Sequence, residues 1–216
     1  MTPPTAVKRI LLVDDHEVVR DGVKRILDRP GDAITYGESS NGPEALRLVR
    51  ELDWHLAVLD ISLGDGSGLE VLKELKQIRP NLPVLILTMH SEEQYARRAF
   101  KAGAAGYVTK DSPRSELAEA VDKVMKGGTY VSRSLAEKLV VYFGNDTERP
   151  LHEILSDREF EVMRLIASGK TVTEIAALLS LSDKTISTYR ARILEKMEMK
   201  NNAELMHYAL RNNLVE

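Results

Sequence analysis

Two hydrophobic patterns divide the chain, and the change from one to the other falls near residue 150. Before it, short unbroken apolar runs recur, each followed by a stretch of helical spacing. Residues 9–13 and 56–59 (Leu-Ala-Val-Leu) show no polar alternation, which predicts strands buried on both faces of a parallel sheet. Residues 33–38, 83–88 and 106–110 read as further strands. Between them, Val18, Val19, Val23, Ile26 and Leu27 recur at helical spacing and stop near Arg29-Pro30-Gly31. Asn41-Gly42-Pro43 opens a helix over 44–51, with proline at a first helical position where no amide hydrogen is needed. Ser67-Gly68-Leu69-Glu70 has capping-box spacing and opens a helix to about residue 78. Helices over 91–100 and, after Ser112-Pro113, to about residue 126 complete the series. Five strand–helix pairs in this order predict an α/β fold with a doubly wound, five-stranded parallel sheet covered on both faces.

After residue 126 the strands cease. Gly127-Gly128 closes the first domain, and residues 134–143 carry Leu135, Leu139, Val140 and Phe143 on one helical face. Residues 144–150 are polar and turn-rich, so 127–150 reads as a connector helix and a hinge. From 151 to 216 only the helical period remains, predicting a small all-α domain. Ser156-Asp157-Arg158-Glu159 and Thr171-Val172-Thr173-Glu174 are capping boxes that open two helices. A three-residue turn, Ser180-Leu181-Ser182, leads into a third over 183–197, and a fourth spans about 203–211. Two helices joined so tightly predict a helix-turn-helix, whose second helix enters a major groove.

Composition narrows the picture. The 216 residues, 43% hydrophobic and 29% charged, suffice for two small domains of an ordinary globular protein. There is no cysteine, which excludes a disulfide framework and thiolate zinc sites and fits a reducing compartment. The opening apolar run, 10–13, is too short for a signal peptide or a membrane span, so a cytoplasmic protein without a membrane partner is expected. The net charge of -3 gives no global sign of nucleic-acid binding. Residues 145–216 hold ten basic residues against twelve carboxylates, yet 182–200 hold five against three. Positive charge is focused on one helix, which is either a solvated face or a local patch for DNA.

Candidate chemistry sits at the carboxyl ends of the strands. Asp14, Asp15, Asp60, Thr88 and Lys110 all stand there, where open α/β sheets bind their ligands. Taken singly, Asp14-Asp15 could cap a helix, Asp60 a turn, and Lys110 could make a surface pair. Taken together, they converge. Three neighbouring carboxylates repel unless a cation is present, and a hard, oxygen-loving ion such as Mg2+ resolves this while Lys110 neutralises the remainder. The set suits phosphoryl transfer to a carboxylate: Asp60 as nucleophile, Mg2+ and Lys110 on the phosphoryl oxygens, and a hydrogen bond from the Thr88 hydroxyl.

Residues 8–126 resemble the receiver domain of two-component response regulators. Val13-Asp14-Asp15-His16, Leu59-Asp60, Leu87-Thr88 and Tyr107-Val108-Thr109-Lys110 carry the match. The resemblance implies phosphorylation of Asp60 by a sensor histidine kinase, and Mg2+ held by Asp14, Asp15 and Asp60, with the Ser62 backbone carbonyl completing the set. It also implies that Thr88 and Tyr107 move together. Physically, a new dianion pulls the hydroxyl inward and the vacated volume lets the aromatic ring rotate in. The chain departs from the pattern twice: Ile61-Ser62-Leu63-Gly64-Asp65-Gly66 lacks the proline common after the acceptor, and Asp111 follows Lys110 where many receivers carry proline.

In the predicted third helix of the second domain, Ile186, Tyr189, Ile193 and Met197 recur as a buried stripe. Lys184, Ser187, Thr188, Ala191 and Arg192 lie opposite. Small polar residues flanked by Lys and Arg suit close approach to base edges with phosphate clamps beside them. Residues 151–216 resemble the LuxR-type helix-turn-helix domain, through Leu155-Ser156-Asp157-Arg158-Glu159, Leu165-Ile166-Ala167-Ser168-Gly169, Glu174-Ile175-Ala176, Leu181-Ser182, Lys184-Thr185-Ile186 and Lys196-Met197. That pairing defines the NarL/FixJ class. It implies base-facing Ser187, Thr188 and Ala191 and phosphate-facing Lys184, Arg190 and Arg192, with Thr185 in the same DNA-binding set.

The combined expectation is a DNA-binding transcription factor, not an enzyme, in which phosphorylation of Asp60 promotes a homodimer that grips two half-sites of double-stranded DNA. Two alternatives stand beside it. A Mg2+-dependent aspartyl phosphatase needs a second acid two positions after the nucleophile, where this chain has Ser62. A regulator with the same pocket could instead be governed by protein contact or constitutive dimerisation.

Overall fold

The unbroken apolar runs become the middle of a sheet. The computed structural model describes residues 7–31, 33–64, 66–133, 135–137 and 150–215. Two compact units divide the chain, Met1–Ala136 and Glu137–Glu216.

In the first unit the strands are β1 (Lys8–Val13), β2 (Ile34–Ser39), β3 (Leu56–Leu59), the short β4 (Ser62–Leu63) and β5 (Gly66–Ser67), β6 (Val84–Thr88) and β7 (Gly106–Thr109). Five of them form one sheet in the order β2-β1-β3-β6-β7, parallel throughout. The helices are α1 (Glu17–Leu27), α2 (Gly42–Glu51), α3 (Gly68–Ile78), α4 (Glu92–Lys101) and α5 (Arg114–Met125). β1 and β3 are apolar throughout their central residues because both faces are covered. Ile10, Leu12, Leu56 and Val58 pack with Val23 and Leu27 of α1 and with Leu117, Val121 and Val124 of α5. Leu11, Ala57 and Leu59, pointing the other way along the same strands, are wholly buried too. Each such Leu or Val contributes about 1.5–3 kcal/mol by leaving water.

In the stretch after Asp60, β4 and β5 pair antiparallel. Ser67 occupies the N-cap position of α3 but makes no capping bond, so the capping box read at 67–70 does not form. Instead the Gly68 amide donates to the Ile61 carbonyl at 2.8 Å. A side chain at Gly68 would put its Cβ 2.1 Å from the Asp60 carbonyl oxygen, so only glycine lets α3 start this close to the strand end. α2 starts at Gly42, ahead of the expected residue 44, because the Asn41 side chain accepts from the Glu44 amide.

The first unit continues past Gly127-Gly128. The Tyr130 amide donates to the Ala105 carbonyl at 2.9 Å, and the Tyr130 ring is buried. Residues 133 and 135–137 are helical, while most of the expected connector helix and hinge, 138–149, lies outside the described residues.

The second unit contains a 3-10 turn (Leu151–Ile154), α6 (Asp157–Ala167), α7 (Val172–Leu178), α8 (Asp183–Lys196) and α9 (Asn202–Arg211). Both expected capping boxes form, Ser156 with Glu159 and Thr171 with Glu174. Phe160, Met163, Ile175, Ile186, Ile193 and Leu205 make the buried centre. The turn between α7 and α8 passes through Ser180 at φ 52°, a left-handed conformation that serine adopts at some cost. Two side chains hold it: Arg158 Nη2 donates to the Leu179 carbonyl at 3.2 Å, and Thr173 Oγ1 donates to Asp183 Oδ2 at 2.8 Å. Among the described residues, no helix is long and apolar enough to cross a membrane.

Candidate functional site

The strand order reverses at β1 and β3, so the crevice at their carboxyl ends is the topological switch point of the sheet. Val13 is paired with Leu59, which brings Asp14 and Asp60 to adjacent strand ends. The Asp60 amide donates to the Val13 carbonyl at 2.9 Å, and the Lys110 amide to the Thr88 carbonyl at 2.8 Å. Backbone pairing alone therefore aligns the ends of β1, β3, β6 and β7.

Lys110 Nζ lies 2.6 Å from Asp14 Oδ2 and 2.6 Å from Asp60 Oδ2, with all three side chains at most 10% exposed. Burial pushes the ammonium down, and its hydrogen bonds to Asp14 and Asp60 outweigh that and hold it above the usual lysine value. It is a fixed positive charge between two carboxylates. Asp14 Oδ1 accepts from the His16 amide at 2.9 Å, and Asp60 Oδ1 from the Ser62 amide at 3.1 Å. Asp15 is more exposed, with its Oδ1 2.8 Å from His16 Nδ1.

The ligand atoms that come within 4.8 Å of one another among the described residues belong to Asp14, Asp15 and His16. Asp60 stands outside that group, with its Oδ2 held by Lys110. Sequence spacing singles out the carboxylates and misses His16 as a potential ligand, although its position directly after Asp15 was the available signal. Two carboxylates, one buried and one more exposed, form an oxygen pair suited to a hard divalent cation.

Thr88 is wholly buried, and its Oγ1 accepts from the His90 amide at 3.4 Å. Tyr107 is wholly buried as well, and its hydroxyl donates to the His90 carbonyl at 2.9 Å. The ring expected to rotate inward is already inside in this structure. His90 is a junction that sequence reading missed: its ring Nε2 lies 2.8 Å from Ser62 Oγ and its ring stacks on Tyr95 at 4.4 Å. Nothing in the spacing of residue 90 marks it, because its partners come from β4, α4 and β7.

On α8, Ile186 and Ile193 are buried and Tyr189 is half-buried, and Met197, its C-cap, is buried too. Lys184, Ser187, Thr188, Ala191 and Arg192 are exposed. Two members of the expected DNA-facing set are turned to internal tasks. Thr185 is half-buried, with its Oγ1 2.8 Å from Ser182 Oγ at the helix cap, and Arg190 Nε donates to Asn202 Oδ1 of α9 at 2.7 Å. Thr188 Oγ1 donates back to the Lys184 carbonyl at 2.9 Å.

Residues 10–122 match the response regulator receiver domain, and residues 153–209 match the luxR family of bacterial regulatory proteins. The chain belongs to the two-component response regulators. The pairing of these two domains places it in the NarL/FixJ class, whose members are transcription regulators and not enzymes. A "Putative transcriptional regulator" of Pseudomonas aeruginosa is 38% identical, over 97% of this chain and 100% of that protein. "Response regulator UvrY" of Escherichia coli K12 is 33% identical, over 95% of this chain and 94% of its own. Among solved structures, RcsB of Salmonella enterica serovar Typhimurium, bound to promoter P1flhDC in the presence of phosphomimetic BeF3-, is 27% identical with a TM-score of 0.58, covering 95% of this chain and 98% of that one. For a response regulator, the acidic cluster at Asp14 and Asp15 is the divalent-cation site of the receiver, the upstream partner is a kinase, and the LuxR-type unit is the one that binds DNA.

Proposed function

We propose that Asp60 is the phosphoacceptor of this regulator and that Asp14, Asp15, Asp60 and the Ser62 carbonyl hold Mg2+ beside it. The observation that carries this reading is the Lys110 ammonium, 2.6 Å from a buried oxygen of each of Asp14 and Asp60. An Asp60 carboxylate oxygen forms the new bond to phosphorus as the phosphorus–nitrogen bond of the kinase phosphohistidine breaks, and the departing imidazole takes up a proton. Lys110 already touches the acceptor carboxylate, so it needs little movement to donate to a transferred phosphoryl oxygen. The Thr88 hydroxyl donates to another, leaving the His90 amide. Mg2+ held by Asp14, Asp15, Asp60 and the Ser62 carbonyl would supply positive charge for the phosphoryl oxygens.

Tyr107 is the proposed reporter of this change. Its ring is enclosed and its hydroxyl is bonded to the backbone two residues beyond Thr88, so a shift of the Thr88 segment alters that bond directly. The modified receiver favours a homodimer, which presents two copies of α8 to successive half-sites of double-stranded DNA. Lys184 and Arg192 contact phosphates, and Ser187, Thr188 and Ala191 face base edges. Arg190 and Thr185 support this face by fixing α8 to α9 and to its own cap. That RcsB, a relative of the same two-domain build, is seen on a promoter in the presence of a phosphomimetic supports a link between the pocket and DNA binding. A cytoplasmic location follows from the kinase and the DNA together.

The test is the intact mass of the protein after incubation with a small phosphodonor and Mg2+, beside Asp60→Asn, with dimer fraction and DNA binding read on the same samples. One phosphoryl group on the parent protein alone, with dimer and DNA affinity rising together, is the expected result. Dimerisation and DNA binding that ignore phosphorylation would favour control by protein contact.

A further inference from the structure

Arg20 lies on α1, outside the set of strand-end residues, and its side chain is only 13% exposed. Its guanidinium makes two directed contacts. Nη1 donates to the Asp14 backbone carbonyl at 2.7 Å, and Nε donates to Glu38 Oε2 at 2.9 Å. Glu38 is fixed in turn from its other oxygen, 2.5 Å from Lys24 Nζ. Hydrogen bonds from Lys24 first and Arg20 second hold the Glu38 carboxyl below the usual glutamate range, so the brace stays ionised at neutral pH.

The backbone of Asp14 is thus held from the end of β2 on both sides. Its amide donates to the Ser39 carbonyl at 3.1 Å, and its carbonyl accepts from Arg20, which leans on Glu38 one residue earlier. That carbonyl belongs to the peptide plane joining Asp14 to Asp15. Fixing the plane fixes the Asp15 N–Cα bond and the position of its Cα relative to Asp14, and so narrows where the second carboxylate can lie relative to the first. Among the described residues the side chain that meets the Asp15 carboxylate is His16, which is itself 69% exposed. Arg20 also lines the crevice shared by Asp14 and Asp60. An arginine needed only to tie α1 to β2 would be satisfied by Glu38, and α1 is already anchored in the core through Val23 and Leu27.

We propose that Arg20, acting through the Asp14 carbonyl and braced by Glu38, is a positioning residue that sets the relative orientation of the Asp14 and Asp15 carboxylates and so the divalent-cation affinity of the pocket. The inference rests on the reading of that pocket given above. Arginine is required because a lysine ammonium keeps the charge but lacks the planar fork that serves a carbonyl and a carboxylate at once.

The test is Mg2+ affinity of the full-length protein by calorimetry, with the Mg2+-induced rise in Tm as a second readout, for the parent, Arg20→Gln, Arg20→Lys and Glu38→Gln. Arg20→Gln is expected to weaken Mg2+ binding about tenfold, as loss of a residue that orients metal ligands does. Arg20→Lys recovers part of that loss, and Glu38→Gln shows a smaller loss in the same direction. Phosphorylation at saturating Mg2+ then returns to within about twofold of the parent, because the missing interaction is one of cation binding. If Arg20→Gln lowers Tm while its Mg2+ affinity matches the parent, the residue is a brace of the fold and the inference is overturned. Should Arg20→Gln not fold, an unchanged affinity in Glu38→Gln overturns it equally. A parent protein that binds no Mg2+ overturns the reading of the pocket itself, which separates the two failures.

Discussion

The pocket and the recognition helix handle charge in opposite ways. Asp14 and Asp60 are buried and share the Lys110 ammonium at 2.6 Å, whereas Lys184 and Arg192 of α8 stand at the surface. Buried charges are bound into the stability of the domain, because removing one strands its partners in a poor dielectric. Surface charges on a helix add little to folding and are available to a polyanion. Substitutions in the pocket should therefore disturb folding and signalling together, while substitutions at the exposed charges of α8 should leave folding intact and change only what the protein binds.

The largest expected effect is the loss of the acceptor. Asp60→Asn keeps the shape of the side chain but removes the nucleophilic carboxylate, and phosphoryl uptake measured by intact mass should vanish. Lys110→Met comes next. It leaves Asp14 and Asp60 facing each other without their shared cation, and should destabilise the first unit by about 3 kcal/mol in chelator, read by denaturant unfolding. Added Mg2+ should restore part of that, since a divalent ion can replace the lost charge. A Lys110→Met protein as stable as the parent in chelator would remove the contrast between the two regions.

In both regions, what could be read from the sequence was set by the range of the contact and not by the kind of charge. The sheet and its strand ends could be read from the sequence because each depends on one local pattern: a run such as Leu56-Ala57-Val58-Leu59 needs two covered faces, and the residue after it falls at a carboxyl end. The helix-turn-helix was legible for a similar reason, with Ser156, Glu159, Thr171 and Glu174 bonding as their spacing predicted. Contacts between distant segments were not legible. His90 meets Ser62 across 28 positions, and Arg20 meets Glu38 across 18. On α8, helical period correctly separated buried Ile186 from exposed Lys184, but could not show that Arg190 would be engaged by Asn202 on the next helix. Ser67 marks the same limit in a cap: the spacing was right, and close approach of Gly68 to Ile61 displaced the bond.

Glu159 sharpens the comparison from within the second unit, being a buried carboxylate paired with a surface lysine. Its Oε2 accepts from Lys196 Nζ at 2.7 Å and from the Ser156 amide at 2.8 Å. Burial pushes its pKa up, and the Lys196 and Ser156 hydrogen bonds outweigh that and hold it below the usual glutamate value. A lowered carboxylate contributes stability that is fully present above its unfolded value and is lost as pH falls through the folded one. Protection of the α6 and α8 amides from hydrogen exchange, corrected for the intrinsic exchange rate at each pH, should therefore fall on acidification below the ordinary glutamate range. Glu159→Gln should cost about 1.5 kcal/mol at neutral pH, the scale of a charge-assisted hydrogen bond, and flatten that acid dependence. An acid profile identical to the parent would assign the slope to other groups.

The smallest effect tests the surface side directly. Lys184 is exposed near the start of α8, and its carbonyl, not its ammonium, receives the Thr188 hydroxyl. Lys184→Ala should leave the unfolding free energy within about 0.5 kcal/mol of the parent while weakening binding to every DNA sequence alike. The slope of log affinity against log salt should fall by about one, the signature of one lost phosphate contact. Thr188→Ala should do the reverse, preserving that slope and changing base preference at one position. Its hydroxyl is already engaged by the helix backbone, so its methyl group is left as the feature that can meet a thymine methyl. If both variants shift the salt slope equally, the division of α8 into phosphate-facing and base-facing residues is wrong, and the exposed face acts as an undifferentiated patch of charge.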